Sequence, residues 1–516
     1  MTAVAPLVAS RARRSARGLL VLAGAITFVA LLTPAAPIVP VLMVLLGTAM
    51  VLAMGSTWHG VLAVMFPIVL VPIVFSVRVG GVSISFGRSL LFLLIIGWFA
   101  NMRRPDRSFT PRRSPFDGPI VFLVGAMVFS GIVNLPNMNA EAVYGMFRKM
   151  GLFGVDFFLL FAIAVSVLTT EARVRRLLRI FAGLIVFTAA LGIVERYTGR
   201  NVFEFLAPYM PRQLGQQVVA VAQSSVPTRG LINRTRATFE HPLAFGTVLL
   251  MALPIAGTLA LAARERAARI AWGLGSCGLG AAILLTAGRS IYALAGLTFL
   301  TMLILLPDRR TRVALALVGV VVAGTFLAQS DVRRTMVSFA SVSRGGALEG
   351  SLQSRVDDYA PVLDLFERQP LAGYGPRTFA PEAVKSSEVL TGSNVVLDNT
   401  YLGTLAETGI VGLLALVSLL AVVYSSAWRS MRLAVDREQY LIRLGLLIAV
   451  QNWILMGLAA DTYQFNAPPR VFSLIMAAVA AVRLDAGWRA PRLGPLVATR
   501  PLAAADDPAA VALQTS

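Results

Sequence analysis

The chain is poor in the residues that bind transition metals or staple small folds. It has one cysteine, Cys277, in 516 residues, which excludes an intrachain disulfide framework and a cysteine metal cluster. Two histidines, His59 and His241, are too few for a histidine-rich metal site. Charged residues make up only 14%, well below the roughly 25% of soluble domains. A small-residue cleavage site is missing from the N-terminal region: RARRSAR (Arg11–Arg17) followed by LLVLAGAITFVALL reads as a cytoplasmic anchor and not as a cleavable signal peptide.

Apolar sequence is what remains. Hydrophobic residues account for 57% of the chain and the mean hydropathy is +0.74. Apolar stretches of about 16–25 residues recur throughout, long enough to cross a hydrocarbon core of ~30 Å. The fold class expected is therefore an all-α polytopic membrane protein of about 12–14 transmembrane helices. We read spans near 18–33, 36–54, 60–76, 88–100, 118–134, 150–168, 177–194, 243–262, 270–286, 290–306, 313–328, 400–427, 440–459 and 470–484. The net charge of +20 would suit a nucleic-acid binder. Most arginines, however, lie in short loops between spans, as the positive-inside bias requires.

With a cytoplasmic N-terminus, the cytoplasmic loops are NMRRPDRSFTPRRSPFDG, LTTEARVRRLLR, ARERAAR, PDRRTR and WRSMRLAVDREQYLIR, all arginine-rich. The expected organisation is a basic N-terminal segment (1–17), a transmembrane bundle (18–328) with an outer loop (195–241), a large extracytoplasmic loop (329–399), a second transmembrane portion (400–484) and a disordered cytoplasmic tail (485–516). Long loops escape the positive-inside rule, so arginines on the outer face are permitted there. They still need partners. Bidentate phosphate recognition is one explanation. Pairing with Asp331, Glu349, Asp357, Asp358, Asp364 and Glu367 on a loop surface is the other.

Three constellations carry candidate chemistry. Arg234-Thr-Arg236-Ala-Thr-Phe-Glu240-His241-Pro ends the first outer loop at a helix start, where free N–H groups favour anions. A capping segment is the plainer reading, with His241 extended because it precedes proline. Thr286-Ala-Gly-Arg289-Ser is a tight turn at membrane depth, where an arginine is costly unless it is paired or snorkels to water. The large loop contains Arg355, a short amphipathic helix and the turn Pro370-Leu-Ala-Gly373-Tyr-Gly375-Pro-Arg377. It closes on Asp398-Asn399-Thr-Tyr401-Leu402-Gly-Thr-Leu405-Ala-Glu407-Thr-Gly409-Ile-Val-Gly412. Asp398 or Asn399 would cap the next span, and Leu402, Leu405, Gly409 and Gly412 follow at helical spacing, suited to close packing. Asp156 is the main charge expected inside a span.

The order Arg-x-Thr-Phe-x-His-Pro, then Gly-Arg-Ser after a span, then Pro-Leu-x-Gly-x-Gly, Asn-x-Tyr-Leu and Glu-x-Gly-x-x-Gly resembles the O-antigen ligase/polymerase (Wzy-type) superfamily. The motifs run from Arg234 to Gly412. The resemblance implies a GT-C-like fold in the bacterial inner membrane, with the active site on the extracytoplasmic face. It implies an undecaprenyl-diphosphate-linked glycan donor, a polysaccharide or lipid-linked hydroxyl acceptor, and no cofactor, nucleotide sugar or required metal. It further implies metal-independent, inverting transfer, with polymerisation of surface polysaccharide leading and ligation to lipid A-core as the alternative; a transporter or flippase of lipid-linked glycans is a second alternative outside that reading, and would call for charges at mid-span and broken helices.

By the same resemblance Arg236 and Arg289 match the arginines that hold the diphosphate, and Arg355 the arginine opening the large-loop motif. Arg234, Arg377, Asn399 and Tyr401 join them as substrate-binding candidates. Many ligases have histidine before the asparagine of Asn-x-Tyr-Leu; this sequence has Asp398. A capping aspartate is stabilised as the anion, which weakens it as a base. Two readings stay open: Asp398 is the base, or it orients the acceptor while Glu240 or His241 takes the proton.

Overall fold

A computed structural model describes residues 47–48, 55–71, 76–79, 82–102, 112–209, 228–229, 232–328, 359–376 and 399–489. The expected spans at 18–33 and most of 36–54 lie outside these residues, as do Arg355, Arg377 and Asp398.

The described chain is helical apart from two small antiparallel ribbons that the all-α expectation did not include. They are β1 (Ser76–Val79) with β2 (Val82–Ser85), and β3 (Thr228–Arg229) with β4 (Ile232–Asn233). The helices are α1 (Thr57–Leu70), α2 (Phe86–Met102), α3 (Asp117–Asn134), α4 (Ala140–Phe153), α5 (Leu160–Val167), α6 (Glu171–Thr198), α7 (Val202–Leu206), α8 (Pro242–Ala262), α9 (Arg266–Leu285), α10 (Arg289–Leu305), α11 (Arg309–Ala328), α12 (Tyr359–Arg368), α13 (Thr400–Arg432), α14 (Arg437–Met456) and α15 (Ala467–Arg489). A π-helical turn, Gly154–Leu159, joins α4 to α5. Each expected span from 60–76 onward overlaps a helix, although 60–76 overruns α1, which ends at Leu70, and 440–459 overruns α14, which ends at Met456. Among the described residues, eight helices are long and apolar enough to cross a membrane. The protein is an all-α polytopic membrane protein.

Burial sorts the helices by role. α8 and α14 pack along each other at the centre, with α15 beside them, and all three are buried around nearly their whole circumference. That is the pattern of helices surrounded by protein. Outer helices keep large apolar side chains exposed, such as Val121 on α3 and Leu274 on α9. In water such a surface would be a liability; against lipid it is the expected face.

The two ends of the bundle differ. At one end the arginine-rich loops interlock by ion pairs: Arg175 with Glu438, Arg264 with Glu438 at 3.4 Å, and Arg443 with Glu171 at 3.7 Å. Arg173 lies over the Trp58 ring at this same end. The loop-charge alternation thus reappears as one physical face. Among the described residues, Arg234, Arg236, Glu240, His241, Arg289, Asn399 and Tyr401 lie at the other.

Candidate functional site

The segment Arg234–His241 is the hub of that second end. Its first part lies against the turn between α9 and α10: Arg234 donates from Nε to the Thr286 carbonyl at 2.8 Å, and the Thr235 N–H donates to the Leu285 carbonyl at 3.2 Å. Two constellations about fifty residues apart in sequence therefore meet (the Arg234–Thr286 separation is 52). Arg289 is the first residue of α10, and Gly288 is its extended N-cap.

Both meeting segments hold an alanine in the left-handed region, Ala237 at φ 49° and Ala287 at φ 48°. A side chain there costs about 1–2 kcal/mol, so surrounding contacts must enforce it. At Ala237 they are visible. Glu195 Oε2 accepts the Ala237 N–H at 2.7 Å, and Asn201 Nδ2 donates to the Ala237 carbonyl at 2.8 Å. Asn201 is itself fixed as the cap of α7, in a reciprocal box with Glu204. Thr238 Oγ1 donates to the Val69 carbonyl at 2.6 Å, tying the segment to the end of α1. Glu195 was expected to open the outer loop; it lies instead in the last turns of α6, which runs to Thr198.

Arg236 is buried beneath this turn, 5% exposed. Burial pulls its guanidinium below the usual arginine range, against the pull of the Glu195 and Glu204 carboxylates.

His241 is extended, as its place before proline predicts, and caps α8: its Nδ1 accepts the Leu243 N–H at 3.1 Å. Burial, then the charges of Arg234 and Arg236, push its pKa down to about 4. The neutral ring with Nδ1 accepting carries its proton on Nε2, so its outward nitrogen is a hydrogen-bond donor. Glu240 Oε1 accepts the Asn466 N–H at 2.6 Å.

The loop between α14 and α15 holds none of the residues singled out from the sequence. It is the part that sequence reasoning missed. On one side its Phe465 stacks on the His241 ring, centroids 5.9 Å apart. On the other it clasps the start of α13. The Thr400 N–H donates to the Gly457 carbonyl at 2.8 Å, Thr400 Oγ1 to the Ala460 carbonyl at 3.0 Å, and the Thr462 N–H to Thr400 Oγ1 at 2.9 Å. The cap of α13 is Asn399, whose side chain accepts from Tyr401 and Leu402. Asn399 Nδ2 reaches the Leu458 carbonyl, and the Tyr401 hydroxyl donates to the Ile454 carbonyl at 2.8 Å. One loop thus bridges the arginine segment and the Asn-x-Tyr-Leu motif.

Gly409 was expected to continue a small-residue helix face. It breaks the helix instead, at φ 64° and ψ −166°. The turn 370–376 docks into that break. The Ile410 N–H donates to the Pro370 carbonyl at 2.8 Å, Tyr374 to Ala406 at 3.0 Å, and Gly375 to Glu407 at 2.9 Å. From α3, Ser130 donates to the Ala372 carbonyl and Asn134 to the Gly373 carbonyl at 2.8 Å. The motif glycines serve backbone docking: a Cβ on Gly373 would sit 2.6 Å from the Ala406 carbonyl oxygen. On the described part of the large loop, Arg368 pairs with Asp364 at 2.7 Å, the surface pairing offered as the plainer reading of such arginines.

Charges within the helices are also more numerous than expected. Asp156 Oδ2 accepts from Arg88 at 3.0 Å and from Arg470 at 2.8 Å, and Arg88 also donates to Asn466 Oδ1 at 3.2 Å. Asp156 is thereby a packed, ion-paired residue on the π-helical turn. Among the described residues no group of His, Cys, Asp and Glu is arranged to hold a metal ion.

The class is a multispanning membrane protein with a cationic, capped segment and a docked Gly/Pro turn at one end of its bundle. Residues 274–417 match the family model described as O-antigen ligase (Wzy_C), which supports the O-antigen ligase/polymerase superfamily. The match takes in the Arg289 turn, the large loop and the Glu407–Gly409 break. No curated protein matches the chain.

Proposed function

We propose that the protein transfers a glycan from undecaprenyl diphosphate to a hydroxyl acceptor, at the extracytoplasmic end of the bundle in the bacterial inner membrane. The observation that carries the reading is the contact of the Arg234–His241 segment with the turn that begins α10. It brings Arg234, Arg236 and Arg289 to one end of the bundle. The family match supports an O-antigen ligase/polymerase-type membrane enzyme and covers one of the two partners in that contact.

In this reading the leaving group is a lipid diphosphate whose charge grows as the glycosidic bond breaks. Fixed guanidinium groups in a site of low dielectric stabilise developing charge without reorganising. His241, neutral with an outward Nε2–H, adds a hydrogen-bond donor and not a base, because proton uptake at Nδ1 would cost the α8 cap. Glu240 holds the Asn466 N–H and keeps the last loop in place. Attack from the face opposite the diphosphate inverts the anomeric carbon. Asn399 and Tyr401 set the acceptor side, with Asp398, Arg355 and Arg377 entering from the large loop.

Polymerisation of repeat units is the leading reaction; ligation to a lipid A-core or other acceptor is the second, favoured by the family's description as O-antigen ligase. Purified protein incubated with undecaprenyl-diphosphate oligosaccharide decides between them. A product ladder from donor alone means polymerase, single transfer to added acceptor means ligase, and no transfer by a folded preparation overturns the enzyme reading.

A further inference from the structure

At the arginine-rich end of the bundle, away from the candidate site, lies a pocket of about 330 Å³, within the roughly 300–1,000 Å³ of small-ligand clefts. Its walls are the end of α8 with the short loop that follows, the first turn of α9 and the first turn of α14. Three arginines line it, Arg264, Arg269 and Arg437, together with the carboxylates of Asp436 and Glu438.

The two carboxylates are already engaged inside the protein. Glu438 Oε1 accepts from Arg175 of α6, which stands outside the lining, and its Oε2 pairs with Arg264 at 3.4 Å. Asp436 is the cap of α14, its Oδ1 accepting the Gln439 N–H at 2.8 Å. Arg269 is held by the loop: its Nη2 donates to the Ala263 carbonyl at 3.1 Å. Arg437 opens α14. With Glu438 neutralised from outside by Arg175, the pocket keeps a surplus of positive charge, carried on planar forks that match the oxygens of a phosphate.

The surroundings decide what kind of phosphate fits. Leu261 and Leu441 line the same pocket, so its floor is apolar. Beside it, α9 leaves Ile270 and Leu274 exposed, one turn apart on one face and leading away from the arginines into the span. A soluble anion would use the arginines and leave that apolar face bare. A phospholipid uses both, with its phosphate among the guanidinium groups and its acyl chains along α9. The positive surplus favours an anionic headgroup over one that brings its own ammonium.

We propose that this pocket binds the phosphodiester headgroup of an anionic phospholipid of the cytoplasmic leaflet. The leaflet follows from the positive-inside orientation of the arginine-rich loops; the site itself is independent of the glycan-transfer reading. A lipid held there bridges the α8–α9 loop to the start of α14. These are the two helices packed along each other at the centre, and at its opposite end α8 carries the His241 cap. Occupancy therefore stabilises the helix pair on which the candidate site is built.

The test uses full-length protein stripped of lipid in neutral detergent, with lipid binding read by native mass spectrometry and stability by thermal unfolding. Phosphatidylglycerol should bind saturably and raise Tm. Phosphatidylethanolamine with the same acyl chains, and inorganic phosphate alone, should each bind at least about tenfold more weakly. Arg269→Gln with Arg437→Gln should weaken phosphatidylglycerol binding about 30-fold. Arg310→Gln, which removes an exposed arginine at the same end but outside the pocket, should leave it unchanged. Equal binding of the two phospholipids overturns the inference, as does a double variant that binds phosphatidylglycerol like wild type. Inorganic phosphate that binds and stabilises as well as the lipid makes this a soluble-anion site and overturns the lipid assignment. An Arg310→Gln loss as large as that of the pocket variant reduces the effect to bulk charge and also overturns it. The comparison of the three ligands on wild-type protein stands even where a variant does not fold.

Discussion

Arg234 donates from Nε to the carbonyl of Thr286 at 2.8 Å, and this bond joins the end of the first outer loop to the turn that starts α10. The Thr235 N–H adds a second bond, to Leu285. Replacing Arg234 by alanine removes a charge-assisted bond to a buried backbone acceptor. We expect Arg234→Ala to lower transfer at least tenfold and to cost about 1–3 kcal/mol of stability, read from initial rates and thermal unfolding in detergent. Lysine should rescue poorly, because its ammonium lacks the Nε–H of the planar fork.

The cap made by His241 gives the protein a pH signature. An unfolded imidazole takes a proton near 6.5, whereas His241 in the fold takes one only near about 4. Between those values the unfolded chain binds more protons, so stability falls as pH drops from about 6.5 towards 4 and is unaffected by this group above 6.5. Solvent screening of the half-buried ring keeps the effect on the order of 1 kcal/mol. His241→Asn retains a good cap and should remove that share of the acid-side loss of Tm. A variant with the same pH dependence as wild type would place the titration elsewhere.

Gly409 and Gly373 make the docked turn possible. Alanine at Gly409 meets the Leu371 carbonyl, and its φ of 64° adds strain whatever the space. Gly409→Ala should cost about 2–4 kcal/mol locally and free the turn 370–376, seen as faster proteolysis or hydrogen exchange there. Gly403→Ala, on the same helix with open space around it, is the control and should unfold near the wild-type temperature.

Asp156 holds two arginines with one carboxylate oxygen, and its side chain is 11% exposed. Removing a buried partner leaves uncompensated charge, so Asp156→Ala should lose about 3–5 kcal/mol. Asp156→Asn should lose less, since an amide oxygen still accepts from Arg470. Equal stability of all three proteins by thermal unfolding would contradict the packed role.

Much of this was legible in the sequence because membranes constrain sequence strongly. Spans, loop charges, the extended His241 before Pro242 and the Thr286–Arg289 turn follow from hydropathy, proline geometry and tight-turn chemistry. What escaped was long-range. DTYQFNAPPR, which runs from Asp461 to Arg470, looks like an ordinary link between spans, yet its Thr462, Phe465, Asn466 and Arg470 reach the start of α13, the Arg234–His241 segment, α2 and the π-helical turn. The signal was its density of polar and aromatic residues in so short a connection. Gly409 misled for a related reason: a Gly-x-x-Gly spacing fits helix packing and a helix break equally well, and only the docked Leu371 carbonyl decides between them.

The most direct test of the account is the coupling of glycan transfer to release of undecaprenyl diphosphate, measured in proteoliposomes for wild type and Arg289→Ala. Wild-type protein should release one lipid diphosphate per glycan transferred, and the folded variant should lose both together by about 100-fold or more. Transfer by the variant at the wild-type rate, or no lipid diphosphate released by an active wild type, would contradict it.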